Sequence, residues 1–167
     1  MLVVVKIKYK INKMGKLLLV IGICQIIAGV VILGLVGTTF NEVITSNTAT
    51  DVQKVQAFGP VMIPLLVIVN GIFGVLTMCC STNKKMDVFY LMGAAIAASA
   101  SAAMVWLYAL VIKECETVAG QIINIFGGQC SEETRNINIS ILVFSSICCV
   151  MSVLGMVATS LTVCRKL

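Results

Sequence analysis

Residues Leu17–Val36 read LLLVIGICQIIAGVVILGLV, twenty consecutive residues without a charge. At a rise of about 1.5 Å per residue, a helix of this length crosses the roughly 30 Å hydrocarbon core of a bilayer. A soluble amphipathic helix would place polar residues on one face at a 3.6-residue spacing, and this segment has no such face. The segment therefore predicts a transmembrane helix.

Three further uncharged runs follow along the chain: Val61–Cys80, Val88–Ile112 and Ile139–Val163. Only helices and closed barrels satisfy their backbone groups in lipid, and the alternation typical of barrel strands is missing. We predict an all-α fold, with residues 1–167 forming a single transmembrane four-helix bundle. Its spans are predicted at about 17–36, 61–80, 88–112 and 139–163, joined by extracytoplasmic loops 37–60 and 113–138.

The composition narrows the classes of function. Hydrophobic residues make up 59% of the chain and charged residues 11%, and histidine is absent. The sequence therefore lacks the commonest general base and metal ligand. We also expect all the acidic residues to lie outside the spans, so we predict no enzyme, no cofactor, no metal and no small-molecule substrate.

The charges are unevenly placed between the segments that flank the spans. Nine basic residues and one acid, Asp87, lie in the two termini and in the turn between spans two and three. The positive-inside rule then places both short termini in the cytoplasm. We predict a multi-pass protein of the plasma membrane, whose net charge of +5 reflects topology rather than nucleic-acid binding.

The first run is too long for the apolar region of a signal peptide, so an uncleaved anchor is favoured. Before it, Val5–Ile11 alternates basic and apolar residues with period two. Two interpretations remain open: this segment is a basic interfacial arm, or translation starts at Met14.

The two predicted outer loops differ in chemistry. Thr38–Gly59 is polar, lacks cysteine and is typical of a flexible surface loop. The second loop contains Cys115 and Cys130, the only cysteines predicted to face the oxidising side, so we expect a disulfide between them. Between them lies an apolar patch that either folds onto the helix ends or contacts a partner; it consists of Ile122, Ile123, Ile125 and Phe126.

The other cysteines fall in or beside the spans. Cys79, Cys80 and Cys164 lie at the cytoplasmic boundary, where they are either palmitoylation sites or small residues at helix ends. Those within spans are expected to be packing residues: Cys24, Cys148 and Cys149.

Polar residues are few inside the spans. Gln25 and Asn70 are expected at similar depths, which predicts an interhelical amide pair; a ligand-orienting role is the alternative. Pro64 is expected in the first turn of span two, where proline costs little.

Small residues recur at spacings that let helix backbones approach closely. The predicted packing positions are Gly22, Gly29, Gly71, Gly93, Ala97, Ser101 and Gly155. Span three is richest in such residues, so it is expected to be the most enclosed helix, with its small faces used mainly inside the bundle. The outer faces of spans one and four, with bulky residues such as Ile141 and Leu154, would then meet lipid or partners.

The segment Gly22–Gly29, followed by Gly34, resembles the Gly-x-x-Gln-Ile-x-x-Gly opening of the first span in the membrane-spanning four-domain subfamily A, the family of the B-lymphocyte surface antigen. Pro60 before span two, Asn70-Gly71 within it and a cysteine pair in the second outer loop are similar in outline. The chain lacks the family's Trp-Gly-Gly pattern in span two. The resemblance implies a non-enzymatic, oligomeric membrane organiser that associates with receptors, in a family sometimes linked to calcium conductance.

These observations predict an accessory or organising subunit that binds other integral membrane proteins, or copies of itself, through helix faces and the disulfide-bearing loop. Its surroundings are the lipid bilayer. The alternative is a homo-oligomeric ion-conducting pore, since a pore lined by Ser, Thr or backbone groups needs no charged residue within a span.

Overall fold

The structure is a computed structural model that describes residues 2–45, 51–79, 84–117 and 132–166. Within these residues the chain forms four helices: α1 (Leu2–Thr45), α2 (Asp51–Cys79), α3 (Lys84–Thr117) and α4 (Glu132–Lys166). Each contains a segment long and apolar enough to cross a membrane; these segments are Gly15–Thr38, Gly59–Thr77, Lys85–Lys113 and Glu132–Cys164. The chain is an all-α, multi-pass tetraspan membrane protein.

The helices form a ring in the order α1–α2–α3–α4, and α4 closes it against α1. Sequence neighbours run antiparallel, and the most extensive contacts join α1 to α2 and α3 to α4. We call the end of the bundle where α1 begins and α4 ends the terminal end, and the opposite end the distal end.

The helices extend further than hydropathy predicted. Helix α1 continues to Thr45 and α2 begins at Asp51, so most of the predicted loop 37–60 is helical. Helix α4 likewise begins at Glu132, inside the predicted loop 113–138. A helix satisfies its own backbone hydrogen bonds, so it can continue into water after its side chains become polar.

The longer helices bear on two local features, and the prediction for Pro64 is wrong. Val5–Ile11 is helical and continuous with α1, which begins at Leu2. Pro64 lies well inside α2, as does Pro60, because the helix starts earlier than its apolar run. Each proline lacks an N–H, so the carbonyls of Gln56 and Pro60 lose their usual helical donors.

Close backbone approach joins α1 to α2. A Cβ atom added to Gly22 would lie 2.7 Å from the Gly71 carbonyl oxygen, and one added to Gly71 would lie 2.7 Å from the Gly22 oxygen. Towards the distal end, a Cβ on Gly29 would lie 2.6 Å from Ile68 Cγ1. Only glycine fits at these contacts, and van der Waals packing of this kind is what associates helices in lipid.

The core has two apolar clusters, one in each half of the bundle. The distal cluster contains Ala28, Ile32, Val36, Val67, Ala97, Met104, Tyr108, Ile141 and Cys148. The terminal cluster contains Leu18, Tyr90, Ala94 and Ala158. Ile141 is therefore a core residue rather than a lipid-facing one, whereas Leu154 is half exposed, as expected.

Helix α3 is not the most enclosed helix: α1 has the largest buried share of its span, and α3 equals α2 and α4. Its row of small residues Gly93, Ala97 and Ser101 faces the interior, and another row does not. Ala95, Ser99 and Ala103 are exposed on the outside of the bundle. The sequence contains more small residues than the interior contacts of one helix can use.

Candidate functional site

Between the two apolar clusters lies a polar layer formed by Gln25, Asn70 and Ser152, which are contributed by α1, α2 and α4. Gln25 Nε2 donates a hydrogen bond to Ser152 Oγ at 2.9 Å, and Asn70 Nδ2 donates to Gln25 Oε1 at 3.2 Å. All three side chains are buried. We call this set the central polar layer.

The central polar layer is built from neutral groups. Two carboxamides and one hydroxyl provide donors and acceptors but neither gain nor lose a proton near neutral pH. The layer therefore suits helix association more than acid–base chemistry. In a bilayer such interhelical hydrogen bonds contribute about 0.6–2 kcal/mol each.

Helix α3 approaches this layer through Gly93. A Cβ atom there would lie 2.6 Å from Asn70 Oδ1, so glycine at this position makes room for the Asn70 amide. Asn70 Oδ1 has no hydrogen-bond partner in the structure. The hydrogen bonds from Gln25 to Ser152 and from Asn70 to Gln25 thus join α1, α2 and α4, and α3 packs against the layer at Gly93.

One turn nearer the terminal end, the Tyr90 side chain of α3 crosses the bundle interior. Its hydroxyl lies against Gly155 of α4, and a Cβ on Gly74 of α2 would lie 3.0 Å from Tyr90 Cε2. Tyr90 is fully buried, and its hydroxyl has no partner. Gly74 and Gly155 therefore form the slot that accommodates the ring.

Buried polar residues also recur along α4 at every seventh position. They are Asn138, Ser145, Ser152 and Thr159. A seven-residue repeat keeps one stripe of a helix facing its neighbours in a bundle. This spacing is visible in the sequence, and it is the signal that could have identified Ser152 as the third member of the central layer.

Asp87 was also misplaced by the sequence argument, which put every acid outside the spans. Asp87 is only 2% exposed and lies in the first turn of α3, within the segment Lys85–Lys113. The positive end of the helix dipole favours a carboxylate at this position. Its flanking Lys84-Lys85 pair made it resemble part of a solvated turn.

The predicted packing residues mostly face the interior. Gly22, Gly29, Gly71, Ala97, Ser101 and Gly155 are buried, and Gly93 is half-buried. Gly34 has no neighbouring atom within 4 Å of an added Cβ, so it is not used in packing within the bundle.

Several predicted site residues fall at the limits of the described structure. Cys79 and Cys115 lie in the last turns of α2 and α3, but their side chains are outside the described residues. Cys80, Cys130 and the apolar patch 122–126 also lie outside them. Cys164 is exposed and free at the terminal end of α4.

Cysteines within the spans are placed by packing. Cys148 is buried in the distal cluster, Cys24 is partly exposed, and both are free thiols. Cys149 Sγ lies 3.8 Å from the Ala98 carbonyl oxygen of α3, which is a weak hydrogen bond. Among the described residues, no group of three or more His, Cys, Asp or Glu side chains could hold a metal ion.

The bond between Gln25 and Asn70 can be tested with a double-mutant cycle on the replacements Gln25→Leu and Asn70→Leu. We expect the two changes to be non-additive by about 0.6–2 kcal/mol, because either one removes the shared hydrogen bond. Unfolding free energies measured in bicelles give the coupling. Gln25→Leu with Thr77→Val is the control and should be additive, since Thr77 Oγ1 donates to its own helix at Phe73. Additivity of Gln25→Leu and Asn70→Leu would show that the bond contributes nothing.

The segment that resembles the membrane-spanning four-domain subfamily A lies where α1 meets α2 and the central polar layer. Gly22 and Gly29 provide the close approach to α2, and Gln25 links α2 to α4. These residues therefore have packing roles within this bundle. The sequence matches no protein-family model, and comparisons with curated proteins and with solved structures give no match.

Proposed function

We propose that this tetraspan protein is a non-enzymatic accessory or organising subunit that associates with other integral membrane proteins. The observation that carries this proposal is the outward row of Ala95, Ser99 and Ala103 on α3. The outside of α1, by contrast, carries large side chains such as Val20 and Ile27, which are 54% and 59% exposed and suit lipid. A small-residue row allows the backbone of a partner helix to approach closely.

The interior supports the same proposal. At mid-height the space between the helices is occupied by the hydrogen-bonded side chains of Gln25, Asn70 and Ser152. These neutral groups provide no acid or base for catalysis. From the sequence we expected the partner faces on α1 and α4. We now propose α3 instead, because the row Ala95, Ser99 and Ala103 is exposed on the outside of the bundle.

The second outer loop is the other proposed contact. Cys115 lies near the distal end of α3, from which the loop leaves the membrane. We propose that a disulfide between Cys115 and Cys130 constrains this loop and that the patch Ile122–Phe126 contacts the partner. At the terminal end, the exposed thiol of Cys164 is a candidate for palmitoylation together with Cys79 and Cys80. We also propose that the protein resides in the plasma membrane, which agrees with its resemblance to the membrane-spanning four-domain subfamily A.

Partner association is tested with the variant Ser99→Leu/Ala103→Leu. We expect this variant to fold normally. After crosslinking in the native membrane and purification in mild detergent, several-fold less of a stoichiometric partner should be recovered with it than with the unmodified protein. Leucine on this row prevents close helix approach, whereas lipid accommodates it. The matched control is Val20→Leu/Val30→Leu on the outside of α1, which should leave recovery unchanged. Equal recovery with both variants would contradict the role of α3.

The same purification separates the proposed function from its alternative. A symmetric homo-oligomer that conducts ions in reconstituted bilayers would indicate a pore formed between copies. A stable complex with a different membrane protein, lost in the Ser99→Leu/Ala103→Leu variant, supports the accessory role.

We further propose that both termini are cytoplasmic. Nine basic residues and one acid flank the spans on that side, and the positive-inside rule retains such segments in the cytoplasm. Epitope tags at either terminus should bind antibody only after the cells are permeabilised. Labelling of a terminal tag on intact cells would reverse the topology.

A further inference from the structure

Helices α3 and α4 are packed against each other, and each carries a row of buried residues at seven-residue spacing. On α3 the buried residues Asp87, Ala94, Ser101 and Tyr108 recur every seven positions, and on α4 so do Asn138, Ser145, Ser152 and Thr159. Cys149 of α4 contacts the Ala98 carbonyl of α3, which fixes the antiparallel register. One turn further towards the distal end, this register places Ser101 and Ser145 at about the same height in the bundle.

The hydroxyls of Ser101 and Ser145 behave differently from neighbouring ones. Ser99 Oγ and Ser146 Oγ donate to the carbonyls of Ala95 and Leu142, four residues earlier in their own helices, at 3.0 and 2.8 Å. This is the usual arrangement for serine within a helix. Ser101 Oγ and Ser145 Oγ make no hydrogen bond.

Their burial makes this arrangement costly. Ser101 is 1% and Ser145 2% exposed. Ser101 lies about 24 Å and 18 Å along the helix from the two ends of its span at Lys85 and Lys113, well away from bulk water. A hydroxyl without a partner in an apolar interior is unfavourable, because it has lost the hydrogen bonds that it makes in water. Buried polar groups in proteins therefore nearly always have a protein or ordered-water partner.

We propose that one ordered water molecule is bound between Ser101 and Ser145 and hydrogen-bonds to both hydroxyls. Each hydroxyl can donate and accept, so the pair provides two of the two to four bonds that a buried water makes. Water is the chemical class that fits two buried neutral hydroxyls at the same height in the bundle. The bound water links α3 to α4, and this link complements the hydrogen bonds of the central polar layer, which join α1, α2 and α4.

The site is tested on the full chain in lipid bilayers by proton-detected solid-state NMR. Magnetisation is transferred from water to the serine side chains, which are resolved by selective labelling. We expect the magnetisation transferred from water to build up several-fold faster at Ser101 and Ser145 than at Ser99. Ser99 is exposed on the outside of the bundle and is bonded to its own helix. Build-up at Ser101 and Ser145 no faster than at Ser99 would overturn the proposal.

Variants then determine whether the two serines share one molecule. Ser101→Ala should abolish the fast build-up at Ser145, and Ser145→Ala should abolish it at Ser101. Ser99→Ala and Ser146→Ala are the matched controls, and neither should change it. Persistence of fast build-up at the remaining serine would show that the water is not shared and would overturn the bridge. If one alanine variant fails to fold, its reciprocal and the wild-type comparison with Ser99 still decide the outcome.

Discussion

Replacing Gly22 by alanine is expected to destabilise the bundle by about 1–3 kcal/mol, as overpacking of a close contact usually does. The added Cβ atom would lie 2.7 Å from the Gly71 carbonyl oxygen and 3.1 Å from the Val75 backbone nitrogen. Both neighbours are backbone atoms, so the strain cannot be relieved by a side-chain rotation. Helices α1 and α2 must separate, which also weakens the hydrogen bond between Asn70 and Gln25.

The matched control for this prediction is Gly34→Ala in the same helix. No atom lies within 4 Å of a Cβ at Gly34, so the change adds no clash. Alanine is favoured over glycine in a helix by up to about 1 kcal/mol, and this variant should be as stable as the parent or slightly more so. Thermal and denaturant unfolding in the same detergent compare the two. Equal stability of Gly22→Ala and Gly34→Ala would mean that α1 and α2 do not meet at Gly22.

The number and order of the spans could be predicted from hydropathy because lipid imposes a severe constraint on any segment that crosses it. Rise per residue was also enough to expect Gln25 and Asn70 at similar depths, and the structure joins them by a hydrogen bond. Ser152 was not expected, because α4 is apolar on nearly every face and only the seven-residue spacing of its polar residues distinguishes the inner one. The depth of a residue in the membrane follows from its position along the helix. The rotation of the helix about its own axis, which decides the residues that face inward, depends on the helices packed against it.

Helix ends and outward faces were predicted less well. The uncharged run of α1 ends at Val36, but the helix continues to Thr45. Small residues on span three predicted close packing without indicating which row meets the interior. The exposed row of Ala95, Ser99 and Ala103 therefore emerged only from the structure.

Gly155→Ala is expected to destabilise the bundle by about 1–3 kcal/mol, and Tyr90→Phe is expected to restore much of that loss. The added Cβ would collide with the Tyr90 hydroxyl oxygen and lie 3.2 Å from Cζ of the ring. Tyr90 is fully buried, so its ring cannot move aside into lipid. Tyr90→Phe removes the colliding oxygen, which has no hydrogen-bond partner in the structure, so the single change should be neutral or stabilising.

A second glycine against the same ring gives the control. A Cβ on Gly74 would lie 3.0 Å from Tyr90 Cε2, an atom that phenylalanine keeps. Tyr90→Phe should therefore rescue Gly155→Ala but not Gly74→Ala, with a coupling of about 0.5–3 kcal/mol only in the first pair. Unfolding free energies of the three single and two double variants, measured in bicelles, provide the comparison. Rescue of both glycine variants would indicate general relaxation of the core, and rescue of neither would show that the Tyr90 hydroxyl does not contact α4 at Gly155.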